Sequence, residues 1–363
     1  MYNILFSITG LAMGGAENQV VSLADELATR GHKVTLAYIL QPVLVLPRNK
    51  QVQVVWLGGT KSFSGMTKAF FNLAKLVKQL RPDVLHSHMF HANLLSRLVR
   101  LVSSVPRLVC TAHSNNEGGK ARMLAYRLTN RLADEFTNVS QGAVEAFEQK
   151  KAAPVGHMLV IHNGINTQRF SFNPAARQRL RSELGVDHDK IFIAIGRFHE
   201  AKDYPNLLSA FSILNKTQLD TCLLIVGDGD SRPQLERKIA ELELQGRVVL
   251  LGIRNDVPEL LSASDIFVLS SAWEGFGLVV AEAMACERIT IATDSGGVVE
   301  VLGDYGFLVA PSDSVALAGR MQEALALSED LAKQYGYNAR QHVVEKFSLG
   351  NVVDRWLEIY SKK

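Results

Sequence analysis

The chain has 363 residues, more than a single hydrophobic core usually serves, so its length predicts two domains. An apolar content of 47% with 21% charged residues is typical of a soluble globular protein, and no apolar run reaches the roughly 18–20 residues that span a bilayer. The net charge is only +3, but residues 1–165 carry 18 Lys and Arg against 9 Asp and Glu. This excess predicts that the first half meets an anionic surface or substrate.

The three cysteines, Cys110, Cys222 and Cys286, are far apart and lie in apolar surroundings. This pattern predicts reduced core thiols of a cytosolic protein rather than a disulfide framework or a metal cluster.

Apolar strands and helices alternate through the first half. The first strand, Asn3–Thr9, passes through a Gly-Gly pair into a helix over about 16–30. Further strands are predicted in HKVTLAYIL and VQVVWLG, over 83–89 and 107–114, and in EFTNVS, with helices over 65–80, about 92–102 and about 120–133. Because the strands are apolar almost throughout, this order predicts a parallel sheet covered on both faces.

Gly14 and Gly15 lie where the first strand turns into the first helix. Glycine there lets a ligand approach the backbone closely, although a plain tight turn explains the pair equally well. The spacing is not GxGxxG, so the fingerprint of dinucleotide-binding proteins is absent.

The helix over 65–80 is basic and amphipathic, with cations in it or beside it at Lys61, Lys68, Lys75, Lys78 and Arg81. Such a helix can lie on anionic lipid, and an ordinary solvated helix face explains it equally well.

Polar side chains stand at the ends of two predicted strands: His86 and His88 on one, His113 and Ser114 on the other. Ligands of parallel sheets bind beyond the carboxyl ends of the strands, so these residues are candidates for a site. His86 and His88 share one strand face, but no accompanying Asp, Glu or Cys cluster favours a metal.

The Asn163–Gly164 pair marks a break, after which a second alternating series begins. It opens with the strand Ile191–Gly196 and a helix near Tyr204–Pro205, and TCLLIVGDGD, VVLLG, DIFVLSS and ITIATD supply further strands. This predicts a second doubly wound unit, and two such units facing each other create a ligand cleft.

Arg197 and Lys202 follow the first strand of that series, where both suit a diphosphate unless they are merely solvated loop charges. The following GDGD contains Asp228 and Asp230 at a spacing that can hold a divalent metal, but its glycines favour a turn.

The stretch SAWEGFGLVVAEAMA, residues 271–285, predicts a strand end, a Gly turn and a buried helix. Free N–H groups at a helix start favour an anion, while Glu274 before the helix and Glu282 within it are acceptors for sugar hydroxyls. The pattern therefore indicates a phosphorylated sugar. The alternative is that both glutamates are solvated, although the apolar neighbours of Glu282 disfavour this.

Taken in order, these motifs resemble one family. GGAEN, HSH, TAHS, IHNGIN, GRFHEAKD, GDG and EGFGLVVAE are similar to motifs of the retaining family 4 glycosyltransferases, and the two glutamates with seven residues between them form its strongest signature. The resemblance covers the whole chain. It implies the GT-B fold: two facing, doubly wound, Rossmann-like α/β domains with a central cleft, an acceptor-side domain over 1–165, a nucleotide-sugar domain over 166–346, and a C-terminal helix in 347–363 that crosses back.

The resemblance also implies roles for residues that would bind the donor nucleotide. Glu282 would bind the ribose hydroxyls, and Arg197 and Lys202 would neutralise the diphosphate in place of a metal. Gly15 would let backbone N–H groups approach phosphate or acceptor. EAKDY stands where the family usually has EKG or EKN, so the chain departs from the pattern at Lys202.

The donor sugar would be held in the same implied arrangement by Glu274 and by the backbone of Phe276, Gly277 and Leu278. His113 would reach that sugar from the first domain.

The implied enzyme is a retaining, metal-independent transferase without a cofactor. It would move a hexose or N-acetylhexosamine from a nucleotide sugar, most often UDP in this family, to a hydroxyl of a lipid-linked saccharide in O-antigen, capsule or other polysaccharide biosynthesis. The stretch over 113–140 resembles, more loosely, members that act on polyprenyl-diphosphate lipids. The expected location is the cytoplasm, peripherally attached to the inner membrane by the basic half.

Four rival functions are weighed against this one. A sugar-nucleotide epimerase of the same fold needs an acid/base pair, for which only Glu274 and His113 are candidates. A non-catalytic partner subunit does not need an intact set of site residues, which here comprises His113, Arg197, Glu274 and Glu282. A dinucleotide oxidoreductase lacks its fingerprint, and a nucleic-acid binder lacks aromatic residues among the basic ones.

Overall fold

The computed structural model describes residues 1–186 and 190–362, and the chain forms two compact units. The first comprises Met1–Gly164 together with the C-terminal segment that begins at Leu349, and the second comprises Ile165–Ser348. Each contains one parallel sheet wound in both directions from its centre. This confirms the predicted α/β class with two Rossmann-like domains.

The strands of the first unit are β1 (Asn3–Leu11), β2 (Lys33–Val43), β3 (Gln53–Trp56), β4 (Val84–His88), β5 (Arg107–Thr111), β6 (Glu135–Asn138) and β7 (Met158–Val160). They form a sheet of order β3-β2-β1-β4-β5-β6-β7, with all neighbours parallel. The order reverses direction between β1 and β4, which is the point where sheets of this kind bind ligands.

The strands of the second unit are β8 (Lys190–Ile195), β9 (Thr221–Val226), β10 (Val248–Gly252), β11 (Ile266–Leu269), β12 (Ile289–Thr293) and β13 (Phe307–Val309). They form a parallel sheet of order β10-β9-β8-β11-β12-β13, which reverses direction between β8 and β11.

The helices of the first unit are α1 (Gly15–Thr29), α2 (Phe63–Leu80), α3 (Phe90–Val99), α4 (Lys120–Thr129) and α5 (Gln141–Gln149). Those of the second are α6 (Pro174–Glu183), α7 (Tyr204–Asn215), α8 (Arg232–Glu241), α9 (Val257–Ala263), α10 (Leu278–Ala285), α11 (Val298–Leu302), α12 (Ser314–Leu325) and α13 (Glu329–Phe347). The last helix, α14 (Leu349–Ser361), belongs to the first unit.

The sheet of the first unit has a buried core on each face. Side chains alternate along β1, so Leu5 packs in one apolar cluster, whereas Ile4 and Phe6 pack in another that includes Trp356 and Tyr360 of α14. Burying a large apolar side chain contributes about 1.5–3 kcal/mol. The C-terminal helix is therefore part of the core of the first unit.

Some element bounds differ from the sequence-based prediction. The helix expected over 120–133 ends at Thr129 and continues as a 3₁₀ turn over Asn130–Leu132. Arg97 lies buried beneath this end and donates to the Tyr126 carbonyl and the Thr129 hydroxyl, so it takes up acceptors of the last turn. The strand expected over 107–114 ends at Thr111, and α5 and β13 were not predicted.

Other expectations concern burial. All three cysteines are buried and unpaired, as predicted. The five cations in and beside α2 are exposed, as both explanations of that helix require. Within the described residues, no helix is long and apolar enough to cross a bilayer.

Candidate functional site

The carboxyl ends of β8 and β11 are neighbours at the reversal point of the second sheet. The loop after β8 carries Arg197 and Lys202, while the loop after β11 carries Glu274 and leads into α10 at Gly277. These residues were predicted from separate motifs, and the topology places both motifs at the same edge of the sheet.

Lys202 and Glu274 form an ion pair between these two loops, although they are 72 residues apart in sequence. The Lys202 ammonium contacts Oε1 of Glu274, and the two side chains are only 20% and 15% exposed. Ser271 donates to the same oxygen at 2.8 Å, and Ser270 donates to the Lys202 carbonyl at 2.7 Å. The loops are thus fixed to each other, and Lys202 reaches the site even though EAKDY departs from the family pattern.

Arg197 lies at the same edge but is exposed, and no hydrogen bond or ion pair joins it to another described residue. Its loop is supported by the GDG turn. A Cβ atom at Gly227 would lie 2.0 Å from the Gly196 carbonyl oxygen, and one at Gly229 would lie 2.5 Å from that of Phe198. GDGD is therefore the tight turn that its glycines predicted, and it presses against the loop that carries Arg197.

The start of α10 faces this edge as an uncapped helix N-terminus. Gly277 has a φ of +84° and supplies no side-chain cap. The N–H groups of Leu278 and Val279 find no acceptor among the described residues, as at any first helical turn. The preceding Phe276 is buried and packs edge-to-face on Phe347, with 5.6 Å between ring centroids. This contact fixes the turn to the core of the second unit.

Glu282 is the fifth residue of α10 and is half-buried. Burial raises the pKa of its carboxyl group to about 7, and Arg169 opposes this shift. No described residue donates a hydrogen bond to it, so its oxygens are available to a ligand. Since Glu274 and Glu282 are both partly buried, the alternative that they are ordinary solvated residues is wrong.

His113 follows β5 by two residues in the first unit, and its Nε2 lies 3.0 Å from Nδ1 of His88. Burial lowers the pKa of His113 to about 4, so the ring is neutral at neutral pH. Its Nδ1 is buried and has no partner among the described residues. The unsatisfied nitrogen makes this neutral ring a candidate hydrogen-bonding group for a ligand.

The HSH motif supplies two further histidines, of which His86 is held entirely by neighbouring side chains. His86 and His88 share one strand face, as predicted, with 4.1 Å between ring centroids. His86 is fully buried, with Nδ1 2.7 Å from the Tyr360 hydroxyl and Nε2 2.7 Å from the Thr111 hydroxyl. Burial lowers the pKa of both His86 and His88 well below the usual value, so both are neutral.

The loop that carries His113 is held by Glu117. The Glu117 carboxylate accepts the His113 N–H at 3.1 Å and the hydroxyl of Tyr126 on α4. Burial raises the pKa of Glu117, and the Tyr126 hydroxyl opposes the shift. Nothing in the sequence pattern singled out this residue.

The predicted site residues divide between the two units. Gly15 is the exposed first residue of α1, and it and His113 belong to the first unit. The other seven belong to the second unit: Arg197, Lys202, Glu274, Phe276, Gly277, Leu278 and Glu282. Among the described residues, no group of three or more His, Cys, Asp or Glu side chains is placed to hold a metal ion.

The sequence reasoning also missed Gly296 in the second unit. Its φ is +61°, and a Cβ atom there would lie 2.1 Å from the Glu274 carbonyl oxygen. Gly296 thus lets the loop after β12 pack against the loop that carries Glu274. A Gly-Gly pair that follows a strand after two residues, as at Gly14–Gly15, was the signal that could have found it.

Comparison with known proteins identifies the family. Residues 13–169 match "Glycosyltransferase Family 4", and residues 176–342 match "Glycosyl transferases group 1". An alpha-maltose-1-phosphate synthase of Mycolicibacterium smegmatis is 30% identical over 77% of this chain and 79% of its own length. The chain belongs to the family 4 glycosyltransferases.

Two other relatives of this glycosyltransferase are named for different reactions. An N-acetyl-alpha-D-glucosaminyl L-malate synthase of Bacillus anthracis is 28% identical over 96% of this chain and 94% of its own length. A UDP-Gal:alpha-D-GlcNAc-diphosphoundecaprenol alpha-1,3-galactosyltransferase of Escherichia coli is 26% identical over 81% of this chain and 79% of its own length. Family membership decides for a glycosyltransferase over the oxidoreductase and the nucleic-acid binder.

Solved structures confirm the GT-B fold of this glycosyltransferase. HepE of Anabaena, solved in complex with UDP and glucose, has a TM-score of 0.86 at 23% identity and covers 100% of both chains. A glycosyltransferase of Rickettsia africae also has a TM-score of 0.86, at 22% identity, over 99% of this chain and 98% of its own.

Proposed function

We propose that this glycosyltransferase moves a hexose or N-acetylhexosamine from a UDP-sugar to a hydroxyl of a lipid-linked saccharide, with retention of configuration and without a metal. The observation that carries the proposal is the Lys202–Glu274 pair beside the uncapped start of α10. The ammonium and the helix N–H groups suit a diphosphate, and the adjacent carboxylate suits sugar hydroxyls.

The proposed reaction breaks the bond between the anomeric carbon and the diphosphate oxygen. Negative charge then develops on the diphosphate, where Lys202, Arg197 and the start of α10 stabilise it. Glu274 already accepts from Lys202 and Ser271, which suits a role in holding sugar hydroxyls rather than attacking carbon. The leaving phosphate oxygen accepts the proton of the acceptor hydroxyl on the same face, which retains the configuration.

The remaining contacts follow from the free polar atoms of the site. Glu282 accepts from the ribose hydroxyls, because its half-buried carboxylate has no donor of its own in the described chain. Neutral His113 uses Nδ1 on the donor sugar, since Nε2 is taken by His88.

The choice of UDP and of a lipid-linked acceptor draws on relatives. The E. coli relative is named for UDP-Gal and a diphosphoundecaprenol acceptor, and the HepE structure contains UDP. The charge of the first half fits an enzyme that works at the cytoplasmic face of the inner membrane. High salt should release such an enzyme from membranes, because it screens attraction between exposed charges.

The first experiment compares thermal stabilisation by UDP, GDP, ADP and NAD in the presence of EDTA. A ligand at about 100 times its Kd adds roughly 2.7 kcal/mol to the free energy of unfolding. We expect UDP alone to give this shift. Stabilisation by NAD alone, or by UDP only when a divalent metal is supplied, would contradict the proposal.

The second experiment tests turnover. Lys202→Ala should lower kcat more than it raises KM, because the charge that Lys202 meets is greatest in the transition state. With UDP-sugars and a lipid-linked acceptor as substrates, the wild-type product should keep the anomeric configuration of the donor. An inverted product, or a KM effect alone in the variant, would overturn the assigned mechanism.

A further inference from the structure

A cavity of about 540 Å³ opens on the first unit beside α4. Its walls come from the loop after His113, one face of α4 and the segment that follows α5. The side chains that give it chemical character are Lys120, Met123, Leu124, Arg127, Lys150 and Lys151. None of the residues in this set belongs to the donor site described above.

The cavity is strongly cationic. Four basic side chains line it, and no Asp or Glu does. Lys150 donates to the Asn115 carbonyl at 2.8 Å. The side chains of the other three, Lys120, Arg127 and Lys151, form no hydrogen bond or ion pair with a described residue. Three unneutralised cations around one hollow attract a multiply charged anion.

The same cavity has an apolar side. Met123 is buried in its wall, while Leu124 is 53% exposed. Leu128 follows Leu124 by one helical turn and is 75% exposed, so the apolar strip continues along α4 beyond the cavity. A small water-soluble anion would leave this apolar strip exposed, whereas the chain of an anionic lipid would cover it.

The cavity shares a wall with the loop of His113. Asn116 and Gly118 line it, and Glu117 between them binds the His113 backbone and Tyr126 instead. A ligand in the cavity would therefore touch the segment that positions a residue proposed to meet the donor sugar.

We propose that this cavity binds the diphosphate head of the lipid-linked acceptor, with the start of the lipid chain on Leu124 and Leu128. A diphosphate that joins a lipid to a saccharide carries two negative charges, which the three unpaired cations can neutralise, and 540 Å³ leaves room for chain atoms beside the head. The inference rests on the proposed function in one respect, the lipid-linked acceptor.

The probe is farnesyl diphosphate, which carries this head on a short, soluble chain. Its binding is measured by calorimetry at about 0.15 M salt, beside farnesol and inorganic diphosphate. We expect farnesyl diphosphate to bind at least about tenfold more tightly than either fragment, because only it fills both parts of the cavity. Equal binding of inorganic diphosphate, or no binding of the probe, would overturn the proposal.

A pair of double variants locates the site. Arg127→Glu with Lys151→Glu should weaken binding of the probe by about tenfold or more, because the loss of even one charge-assisted hydrogen bond has about that effect. The matched control is Lys33→Glu with Lys50→Glu, which removes two exposed cations of the same unit that do not line the cavity. It should leave binding of the probe unchanged.

Two further readouts separate the possible failures. Stabilisation by UDP should be equal in both double variants and the wild type, which shows that they fold and that the donor site is intact. If UDP binds but the two variants lose the probe equally, the attraction is diffuse and the cavity is not its site. Binding of both double variants to phosphatidylglycerol vesicles is measured as well. If both lose vesicle binding equally while their binding of the probe is unaffected, these charges contact the membrane surface and not the diphosphate head.

Discussion

Glu282 shows how one half-buried carboxyl group can indicate a ligand site. It lies half-buried on α10, without a donor among the described residues, and burial raises its pKa to about 7. A carboxylate held this way gains a hydrogen bond when a hydroxyl arrives, and its affinity for that hydroxyl depends on its protonation state.

The first prediction is a pH dependence of UDP affinity that vanishes in Glu282→Gln. As pH rises from about 6 to about 8, Glu282 ionises and becomes a stronger acceptor, so the Kd for UDP should fall by up to roughly tenfold, the effect of one charge-assisted hydrogen bond. Calorimetry at several pH values measures it. A phosphate group titrates near pH 6 as well, but equally for both proteins, so their difference isolates Glu282.

Rising pH has the opposite effect on stability: it strengthens UDP binding but destabilises the fold. The pKa is higher in the folded chain than in the unfolded one, so the folded state holds the proton longer and stability falls as pH rises from about 4.5 to about 7. In Glu282→Gln the free energy of unfolding should decline by about 1–2 kcal/mol less over this pH range, a figure reduced to allow for the partial exposure of Glu282. Urea unfolding at several pH values measures it. A steeper decline in the variant would contradict the assignment.

The Lys202–Glu274 pair leads to a second prediction. Without a ligand, Glu274 neutralises the cation that the diphosphate needs, so the two anions compete for Lys202. Glu274→Gln should therefore tighten UDP binding, by about threefold to tenfold, and at the same time lower turnover because the sugar loses an acceptor. Calorimetry with UDP and initial rates with the UDP-sugar measure the two effects.

Ser271→Ala is the control for that competition. It removes a hydrogen bond to Glu274 but leaves the carboxylate in place, so the affinity for UDP should stay near the wild-type value. Weaker UDP binding in Glu274→Gln would show that the carboxylate supports the diphosphate site instead of competing for its cation.

At the scale of single residues, the sequence identified the candidate residues and the strand ends that carry them, but not the residues that they contact. Arg197, Lys202 and Glu274 stood out because they follow apolar strands, and Glu282 stood out because its neighbours in the helix are apolar. The contact between Lys202 and Glu274 was not, since it joins loops 72 residues apart. Glu117 was invisible because its role depends on the burial of Tyr126, which no local pattern encodes.

Loops at the carboxyl ends of the second sheet are packed through glycine. Gly227 and Gly229 admit the backbone of the Arg197 loop, and Gly296 admits that of the Glu274 loop. The site therefore depends on backbone-to-backbone contacts for which any Cβ atom is too large.

The third prediction concerns Gly296→Ala. The new methyl group would meet the Glu274 carbonyl oxygen at 2.1 Å, and the positive φ disfavours alanine, so the variant should lose about 1–3 kcal/mol of stability and bind UDP more weakly. Urea unfolding and calorimetry measure these changes.

Gly319→Ala is the matched control, because Gly319 lies within α12 and has nothing within 4 Å of the added atom. It should be neutral or stabilising by up to about 1 kcal/mol. Equal losses in the two variants would mean that the close approach at Gly296 is unimportant.

The elements themselves were largely predictable, since strands that are buried on both faces are apolar throughout. Their ends were less so. The strand expected over 107–114 stops at Thr111 because the chain then turns to place His113 and Glu117, and α4 stops at Thr129 because Arg97 takes up its last acceptors. The end of α4 is thus set by a residue about 30 positions earlier in the chain.

At the scale of the whole chain, α14 completes the first unit. Tyr360 lies at 2.7 Å from His86 in the core, and Trp356 packs on the same histidine with 4.5 Å between ring centroids. The family resemblance implied a helix that returns to the first domain, but the buried hydrogen bond that fastens it appears only in the structure.

The fourth prediction is that Tyr360→Phe destabilises the first unit. Removing the hydroxyl leaves a nitrogen of His86 buried without a partner, at a cost of about 1–3 kcal/mol. Urea unfolding measures it. Tyr337→Phe, at a half-exposed position on α13, is the control and should change stability by less than about 0.5 kcal/mol.

The return of α14 also determines the order in which the protein can be finished during synthesis. The second unit is one uninterrupted stretch, Ile165–Ser348, whereas the first takes its last core helix from the end of the chain. A nascent chain can therefore close the second unit while the first still exposes the apolar surface that awaits Trp356 and Tyr360. A chain that ends at Ser348 would therefore contain the whole of its second unit but leave this apolar surface of its first unit exposed.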